Sequence, residues 1–572
     1  MNRELFGVFD DEEAFTDHRC PSEFDEVVRG KVATVGIRDP GLGTFGWSAS
    51  HEDEDGSCLI WGENYPEEGE NGARWFLEQY AAEGRAAFDA LNGSYLVFVE
   101  HDGEALVATD PVRSCECFYT DNGDVRLFGT DAATVARTID DPTLRLPAVL
   151  EYLHAGVTLG EKTSIEQLRR VRADTVLRPD GLDPLERFVY EPREFDYVAE
   201  LADRLERAIR RRAQLPGRKG LLLSAGYDSR TLLSGVPGIE HCYTVGDPAS
   251  QEVRGAKRLA HQYGARHTAF PPDHRYLLAD DRKVRYSQGI KESLHIHHAG
   301  YTDEINVDTI YHGLLSDTFF RGHFTGEDEL EMFGKRIPLY RTDPDPKPVA
   351  VLLSKFGYDR EASRQLSAHV DCGVDDPDEF VRDAVRTELE ASASRVDSPQ
   401  NQLNCCGILN QPSLPFHVQL ADNYFSSFLA VDRELLDWHL STPPEYRTTE
   451  TFLAACERID PGMLRHEPPD RPRSHRALND IEGFLRRKTP FLRSFEPPWP
   501  DRETLFEVYN LDRRLLPDHE HLYDLPGRHK LRIHDVLGWL GQSSEPTERA
   551  LEGLLEPGAG GVRRPSDDRS AI

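Results

Sequence analysis

Leu221-Leu222-Leu223-Ser224-Ala225-Gly226-Tyr227-Asp228-Ser229-Arg230 is the stretch on which the fold turns. Three unbroken leucines suit a central parallel strand covered on both faces. Small and polar residues follow at once. Gly226 lets a ligand approach the backbone, Ser224 and Ser229 offer hydroxyls to phosphate oxygens, and a helix predicted from Ser229 aims unpaired N–H groups at an anion. Asp228 would repel phosphate, so its natural partner is a Mg²⁺ ion bridging phosphate oxygens. A plain βα turn capped by Ser and Asp could carry the same residues, and one motif does not decide between them.

Two more landmarks follow in order. Tyr243-Thr244-Val245-Gly246-Asp247-Pro248 leads to Glu252, Ala256, Leu259-Ala260 and His267, and then comes Tyr311-His312-Gly313-Leu314-Leu315-Ser316-Asp317-Thr318-Phe319-Phe320-Arg321-Gly322-His323. Together they resemble the asparagine synthetase family. Ser-x-Gly-x-Asp-Ser is similar to that family's pyrophosphatase-loop (PP-loop) signature, and Gly313, Asp317, Phe320 and Gly322 fall on its G-x-G-x-D-E-x-F-x-G-Y segment. The resemblance implies ATP as co-substrate, with Leu222, Val245 and Gly313 holding adenosine and Ser224, Gly226 and Ser229 lining the phosphates. It implies Mg²⁺ on Asp228 and Asp317. Ala225 replaces a family Gly, and Thr318 an acidic residue.

At 572 residues more than one core is expected. The balance of 100 Asp+Glu against 67 Lys+Arg, net −33, argues against a nucleic-acid partner. Only 11 of the basic residues are Lys. An acidic, Arg-rich surface of this kind resembles halophilic proteins working in molar salt, where a Debye length of about 3 Å screens self-repulsion. No run approaches the ~20 apolar residues of a membrane helix, and the N-terminus reads as no secretory signal, so a soluble cytoplasmic protein is expected. The nine cysteines fit neither a disulfide framework nor a zinc spacing, and the close pairs Cys115/Cys117 and Cys405/Cys406 read as buried thiols. His295 and His297 would share a face only on a strand, and His297 and His298 would not, so no metal site is expected there.

Residues 1–190 read as an α+β sandwich. Period-two runs at Tyr95–Glu100 and Ala105–Thr109, and at Cys115–Tyr119 and Val125–Phe128, are joined by Asp102-Gly103 and Asn122-Gly123 and predict hairpins. Helices are predicted at Ala73–Leu91 and Ala148–Ala155. Leu91-Asn92-Gly93-Ser94-Tyr95 and Asp110-Pro111-Val112-Arg113 resemble the Ntn-hydrolase-like glutaminase half of the same family. That chemistry needs an N-terminal cysteine thiol, whereas this chain begins Met1-Asn2-Arg3 and its first cysteine is Cys20. In Ile60-Trp61-Gly62-Glu63-Asn64-Tyr65, Trp61 replaces the Asn that stabilises an oxyanion in the family. A degenerate glutaminase-like domain, kept as scaffold, is the expectation.

Residues 195–550 alternate helix and strand: Tyr197–Ala213, Gly220–Leu223, Ser229–Ser234, His241–Val245, Gln251–Tyr263 and Arg266–Phe270. The pattern predicts an α/β parallel sheet, a PP-loop domain with a helical C-terminal part, and a ligand site at the carboxyl ends of the strands. Asp371–Gln400 reads as charged helix and surface loop. Asp432–Trp438, Pro443–Arg447 and a helix at Thr451–Arg458 resemble a further family segment, in which Thr451 stands at a lysine that contacts the reacting phosphate. Arg447 and Arg230 are candidate replacement cations. Residues 555–572 are expected to be disordered.

The resemblance implies an AMP-forming carbon–nitrogen ligase that joins a small-molecule carboxylate, by resemblance aspartate, to ammonia. Its alternatives are a PP-loop ligase for another carboxylate, such as a surface glycan or small metabolite, and a non-catalytic ATP-binding scaffold. A second copy of the chain or a separate glutaminase is the macromolecular partner the resemblance leaves open.

Overall fold

Alternating apolar residues build the first half as a sheet sandwich. In the computed structural model its strands are β1 (Glu4–Val8), β2 (Glu26–Arg29), β3 (Thr34–Arg38), β4 (Ala49–Glu52), β5 (Gly56–Gly62), β6 (Tyr95–His101), β7 (Glu104–Thr109), β8 (Phe118–Asn122), β9 (Val125–Gly129), β10 (Arg169–Arg170), β11 (Thr175–Leu177) and β12 (Leu182–Pro184). The structure describes residues 1–556 apart from 70, 124, 278–279, 333–334, 371–373, 470–477, 480–481, 483–485 and 487–499; the side chains of 327–341 also lie outside the description. Among the described residues the strands form two six-stranded antiparallel sheets, β10-β8-β9-β1-β3-β2 and β12-β11-β7-β6-β5-β4.

Side-chain alternation sets the layers. Leu96 and Phe98 of β6 point into the sandwich with Leu5, Val35 and Phe128, while Tyr95, Val97 and Val99 pack on Trp75, Phe76 and Tyr80 of the helix Gly72–Glu83. Asp102 and Gly103 both take positive φ, 51° and 78°, as a tight hairpin turn requires.

Two predicted elements shift. The helix expected through Leu91 stops at Glu83, because Gly84 adopts φ 60° and the chain continues as a 3-10 turn to Ala90. The strand expected from Cys115 starts at Phe118, because the Asp110 carboxylate draws in the backbone N–H groups of Ser114 and Cys115.

The second half is built on a parallel sheet: β13 (Lys219–Leu222), β14 (Ile239–Val245), β15 (Arg266–Phe270), β16 (Thr309–Tyr311) and, after an antiparallel hairpin of β17 (Glu327–Met332) and β18 (Lys335–Thr342), β19 (Phe425–Ser427). The order is β15-β14-β13-β16-β19 with every pairing parallel. Both faces are covered: Leu221 and Leu223 enter one core and Leu222 the other. The chain winds from β13 outward to β15, then returns to β16 on the opposite side of β13. A topological switch point therefore lies between β13 and β16, where open α/β sheets bind ligands.

Helices Tyr197–Arg212, Gln251–Gln262, Leu414–Asn423, Arg433–Ser441 and Thr449–Ile459 share a core with Leu221 and Leu223 of the sheet, and Gly527–Ser543 shares the other core with Leu222. Leu555, expected to open a disordered tail, is instead the buried last residue of the helix Glu545–Leu555; the remaining tail, 557–572, lies outside the described residues. Cys115, Cys117, Cys405 and Cys406 are buried as expected, as are Cys58, Cys242 and Cys456, whereas Cys20 is exposed; Cys372 lies outside the described residues. Among the described residues no helix is long and apolar enough to cross a membrane.

Candidate functional site

The loop after β13 is held from within. The Leu223 N–H donates to the Tyr243 carbonyl at 2.9 Å, the Ala225 N–H to the Glu252 carboxylate at 2.6 Å, and the Gly226 N–H to the Ser224 hydroxyl at 3.2 Å. Arg230 is 1% exposed and clamps the loop from behind: Nε donates to the Gly226 carbonyl (2.7 Å), Nη2 to Ala225 (2.8 Å), and Nη1 to Met463 (2.7 Å) and His466 (2.6 Å). Its charge is spent on backbone carbonyls, so the structure places Arg230 as a buttress rather than as a cation facing a ligand. Leu222 and Val245 are buried in one apolar cluster with Tyr243 and Phe270.

Gly313 follows β16 and presses on this loop. A Cβ there would lie 2.9 Å from the Asp228 carbonyl carbon and 2.9 Å from the Ser229 nitrogen. Only a residue without a side chain lets the two segments close at the switch point. Gly313→Ala should therefore push the loop away while leaving the sheet intact, as faster hydrogen exchange of the loop amides and an unchanged far-UV circular dichroism spectrum would register.

Buried hydroxyls remain at this junction. Ser229 Oγ and Ser316 Oγ have no hydrogen-bond partner, although the residues are 3% and 1% exposed. Unpaired buried hydroxyls are costly and are ordinarily met by a water or another polar group. Two carboxylates stand at the rim: Asp228 is 30% exposed and Asp317 44%. Arg321 links them. Its Nη1 donates to Asp228 Oδ1 at 2.5 Å, its guanidinium also feels Asp317, and its Nε lies 3.4 Å from Thr449 Oγ1. Burial opposes this charge, but Asp228 and Asp317 together raise the Arg321 pKa. His323 Nδ1 is 3.3 Å from Asp317 Oδ2, and burial lowers its pKa against the pull of Asp317.

Arg447 turns away from this junction. It is 1% exposed, lies 5.2 Å over the Tyr190 ring, pairs with His439 at 3.1 Å and donates to Asn401; only its carbonyl reaches the loop side, beside Gly322. Thr451 is capped by Thr448, the two hydroxyls 3.2 Å apart. No motif in the sequence assigns a role to Arg321, His323 or Glu252. The one available signal was the helical spacing from Asp317 to Arg321, which sets acid and base a turn apart.

In the first half, the space beside β5 is filled. The Arg3 guanidinium is 4.5 Å over the Trp47 ring and 4.7 Å over Trp61; Nε donates to Asp39 at 2.8 Å and Nη1 to the Ala421 carbonyl at 2.9 Å. The Arg3 N–H binds Asp422 at 2.8 Å, fastening the N-terminal strand to the second half. Cys20 is exposed on a 3-10 turn, and burial pushes the Cys115 thiol up to about 12.

A buried polar line joins the halves and ends at the loop. The Ser114 hydroxyl donates to Asp110 at 2.6 Å; Ser114 meets Ser94 at 2.6 Å, Ser94 meets His417 at 2.9 Å, and His417 meets His312 at 3.3 Å. Burial holds both imidazoles neutral, His417 pushed down to about 3 and His312 well below its ordinary value. His312 adjoins Gly313.

No known family profile matches the chain, and no curated protein matches it. Among solved structures, one titled the allosteric regulatory enzyme of purine biosynthesis aligns at 10% identity over 49% of this chain and 82% of its own, with a TM-score of 0.22. A glutamine phosphoribosylpyrophosphate amidotransferase from B. subtilis, complexed with ADP and GMP, aligns at 11% identity over 54% of this chain and 68% of its own, with a TM-score of 0.20. Scores at that level do not establish a shared fold.

Proposed function

We propose that this chain is an asparagine synthetase-like, AMP-forming ligase that activates a small-molecule carboxylate with ATP and passes it to ammonia. The observation that carries the reading is the closure at Gly313, which sets the Asp228 loop against the end of β16 at the switch point and brings Asp228 and Asp317 to one cation, Arg321. The buried, unpartnered hydroxyls of Ser229 and Ser316 fit phosphate oxygens. Asp228 and Asp317 fit Mg²⁺, which takes one or two carboxylates and completes its shell with phosphate and water oxygens. When bound, that ion would neutralise charge on the departing pyrophosphate.

In this reading a carboxylate oxygen of the substrate attacks the α-phosphorus of ATP. The bond to the bridging oxygen breaks, and pyrophosphate leaves with the electron pair. Ammonia nitrogen then attacks the acyl carbon, AMP departs with its oxygen, and the surplus proton on nitrogen goes to solvent. Free ammonia as donor is supported by Arg3 filling the space beside Trp47 and Trp61.

The test is exchange of labelled pyrophosphate into ATP, in molar KCl with Mg²⁺, across a panel of carboxylates that includes aspartate. Exchange with aspartate supports the ligase and its resembled substrate. Exchange with another carboxylate alone moves the substrate but keeps the chemistry. ATP binding with no exchange under any carboxylate replaces the ligase by a nucleotide-binding scaffold.

A further inference from the structure

Asp228, the carboxylate assigned to a metal, already has a cation. Arg321 Nη1 donates to Oδ1 at 2.5 Å, and the Arg321 side chain is only 9% exposed, with its guanidinium 5.7 Å over the Tyr227 ring. A guanidinium keeps its proton in proteins, so near neutral pH both partners of this pair stay charged. There the pair is best relieved by exchange, a second cation taking Asp228 while Arg321 finds another anion.

Neither of the other two arginines considered at this site is available for that anion. Arg230 is spent on four carbonyls, and Arg447 on His439 and Asn401. Thr451 brings no charge. Arg321 differs from both arginines because its partner is a carboxylate with a second claimant.

We propose that Arg321 is a built-in counter-ion of the loop. It holds Asp228 while no divalent cation is bound, and on entry of the metal–ATP complex it moves from Asp228 to the phosphate chain, where it supplies the fixed positive charge that Thr451 lacks. The inference rests on the nucleotide reading of the loop. It makes metal and ATP binding mutually dependent: the metal alone must displace an ion pair, whereas ATP gives the displaced guanidinium a new partner. Because such coupling is reciprocal, ATP tightens the metal by the factor with which the metal tightens ATP.

The measurement is Mn²⁺ binding to the full chain, followed by the electron paramagnetic resonance signal of the free ion, with and without ATP, in wild type, Arg321→Met and Arg321→Met/Asp228→Asn. Without ATP, Arg321→Met should bind Mn²⁺ about ten-fold tighter than wild type, since an opposite charge at contact distance shifts a carboxylate's equilibria by about that much or more. The double variant should lose that gain. Pyrophosphate exchange in Arg321→Met should fall about 10²-fold in kcat with a smaller change in the KM for ATP, as for the loss of one charge-stabilising donor. Arg321→Gln, which keeps a hydrogen bond but no charge, takes the place of the Met variant should that one not fold. Equal Mn²⁺ affinity in wild type and the neutral variant, with wild type binding ATP, overturns the counter-ion role alone. Failure of wild type to bind ATP overturns the nucleotide reading and this inference with it.

Discussion

Asp228→Ala is expected to abolish carboxylate-dependent exchange of pyrophosphate into ATP, a fall of about 10³-fold or more. Three consequences converge on one side chain. The proposed Mg²⁺ site loses one of its two carboxylates. Arg321 loses its 2.5 Å partner and keeps the weaker contact to Thr449 at 3.4 Å. Its displacement then no longer depends on metal, and the coupling between metal and ATP disappears. The fold should survive, because the Asp228 side chain is 30% exposed and the loop is clamped from behind by Arg230 and Glu252. Asp228→Ala with a native circular dichroism spectrum and undiminished exchange would remove Asp228 from the chemistry.

Glu116→Gln is the substitution expected to cost most stability. Glu116 is 5% exposed and serves three cations: Arg170 at 2.8 Å, Lys291 at 2.7 Å and Arg113 at 3.2 Å. Burial alone would raise its pKa, but Arg113, Arg170 and Lys291 overcome burial and hold the carboxyl well below the usual carboxylate range. Burial, aided by Arg170 and Arg113, pushes the Lys291 ammonium down to about 7. Removing the carboxylate leaves three buried cations facing one another, at a cost of about 3–5 kcal/mol. Lys291 can shed its proton, which places the loss at the lower end near neutral pH. A depressed folded pKa means that the Glu116 contribution is present above the unfolded value of about 4.3 and is lost as pH falls below it. Because Lys291 is relieved of its proton near neutrality but not at lower pH, the gap in Tm between wild type and Glu116→Gln, read by calorimetry, should be widest between about pH 5 and 6 and narrow as the solution is acidified below about 4.3. A constant gap across that window would assign the loss to packing instead of charge.

The parallel half is legible in the sequence because its signals are local. Leu221–Leu223 declares a strand buried on both faces, and the helix Gln251–Gln262 begins where Ser250 can cap it, its side chain accepting from the Val253 N–H. Gly84 carries a helix break that apolar periodicity masks, since a glycine permits a positive φ without requiring it. Cys115–Cys117 kept the alternation of a strand, but a carboxylate a few residues upstream claimed the amides. Asp228, Ser229, Gly313 and Asp317, singled out by motif, lie close together in the structure. Arg321 could not be told apart from Arg230 and Arg447, because only tertiary structure decides whether an arginine meets carbonyls, an imidazole or a carboxylate. The Arg3 contacts to Asp422 and Ala421 join residues more than four hundred positions apart, and no local pattern encodes them.

The seam between the halves constrains how such a chain could have been assembled by recombination. Phe6 and Tyr152 of the first half share one apolar cluster with Leu222 and Trp539 of the second. The connecting segment is itself docked: the N–H groups of Tyr190, Glu191 and Arg193 donate to the carbonyls of Arg395, Leu440 and Ser441. A gene cut here would expose apolar surface on both products, so neither half is a portable module. Proteolytic nicking within 185–196 should yield two fragments that elute together on gel filtration and part only in denaturant. The loop after β13 and the sandwich therefore travel together as one unit, because each half covers apolar surface of the other.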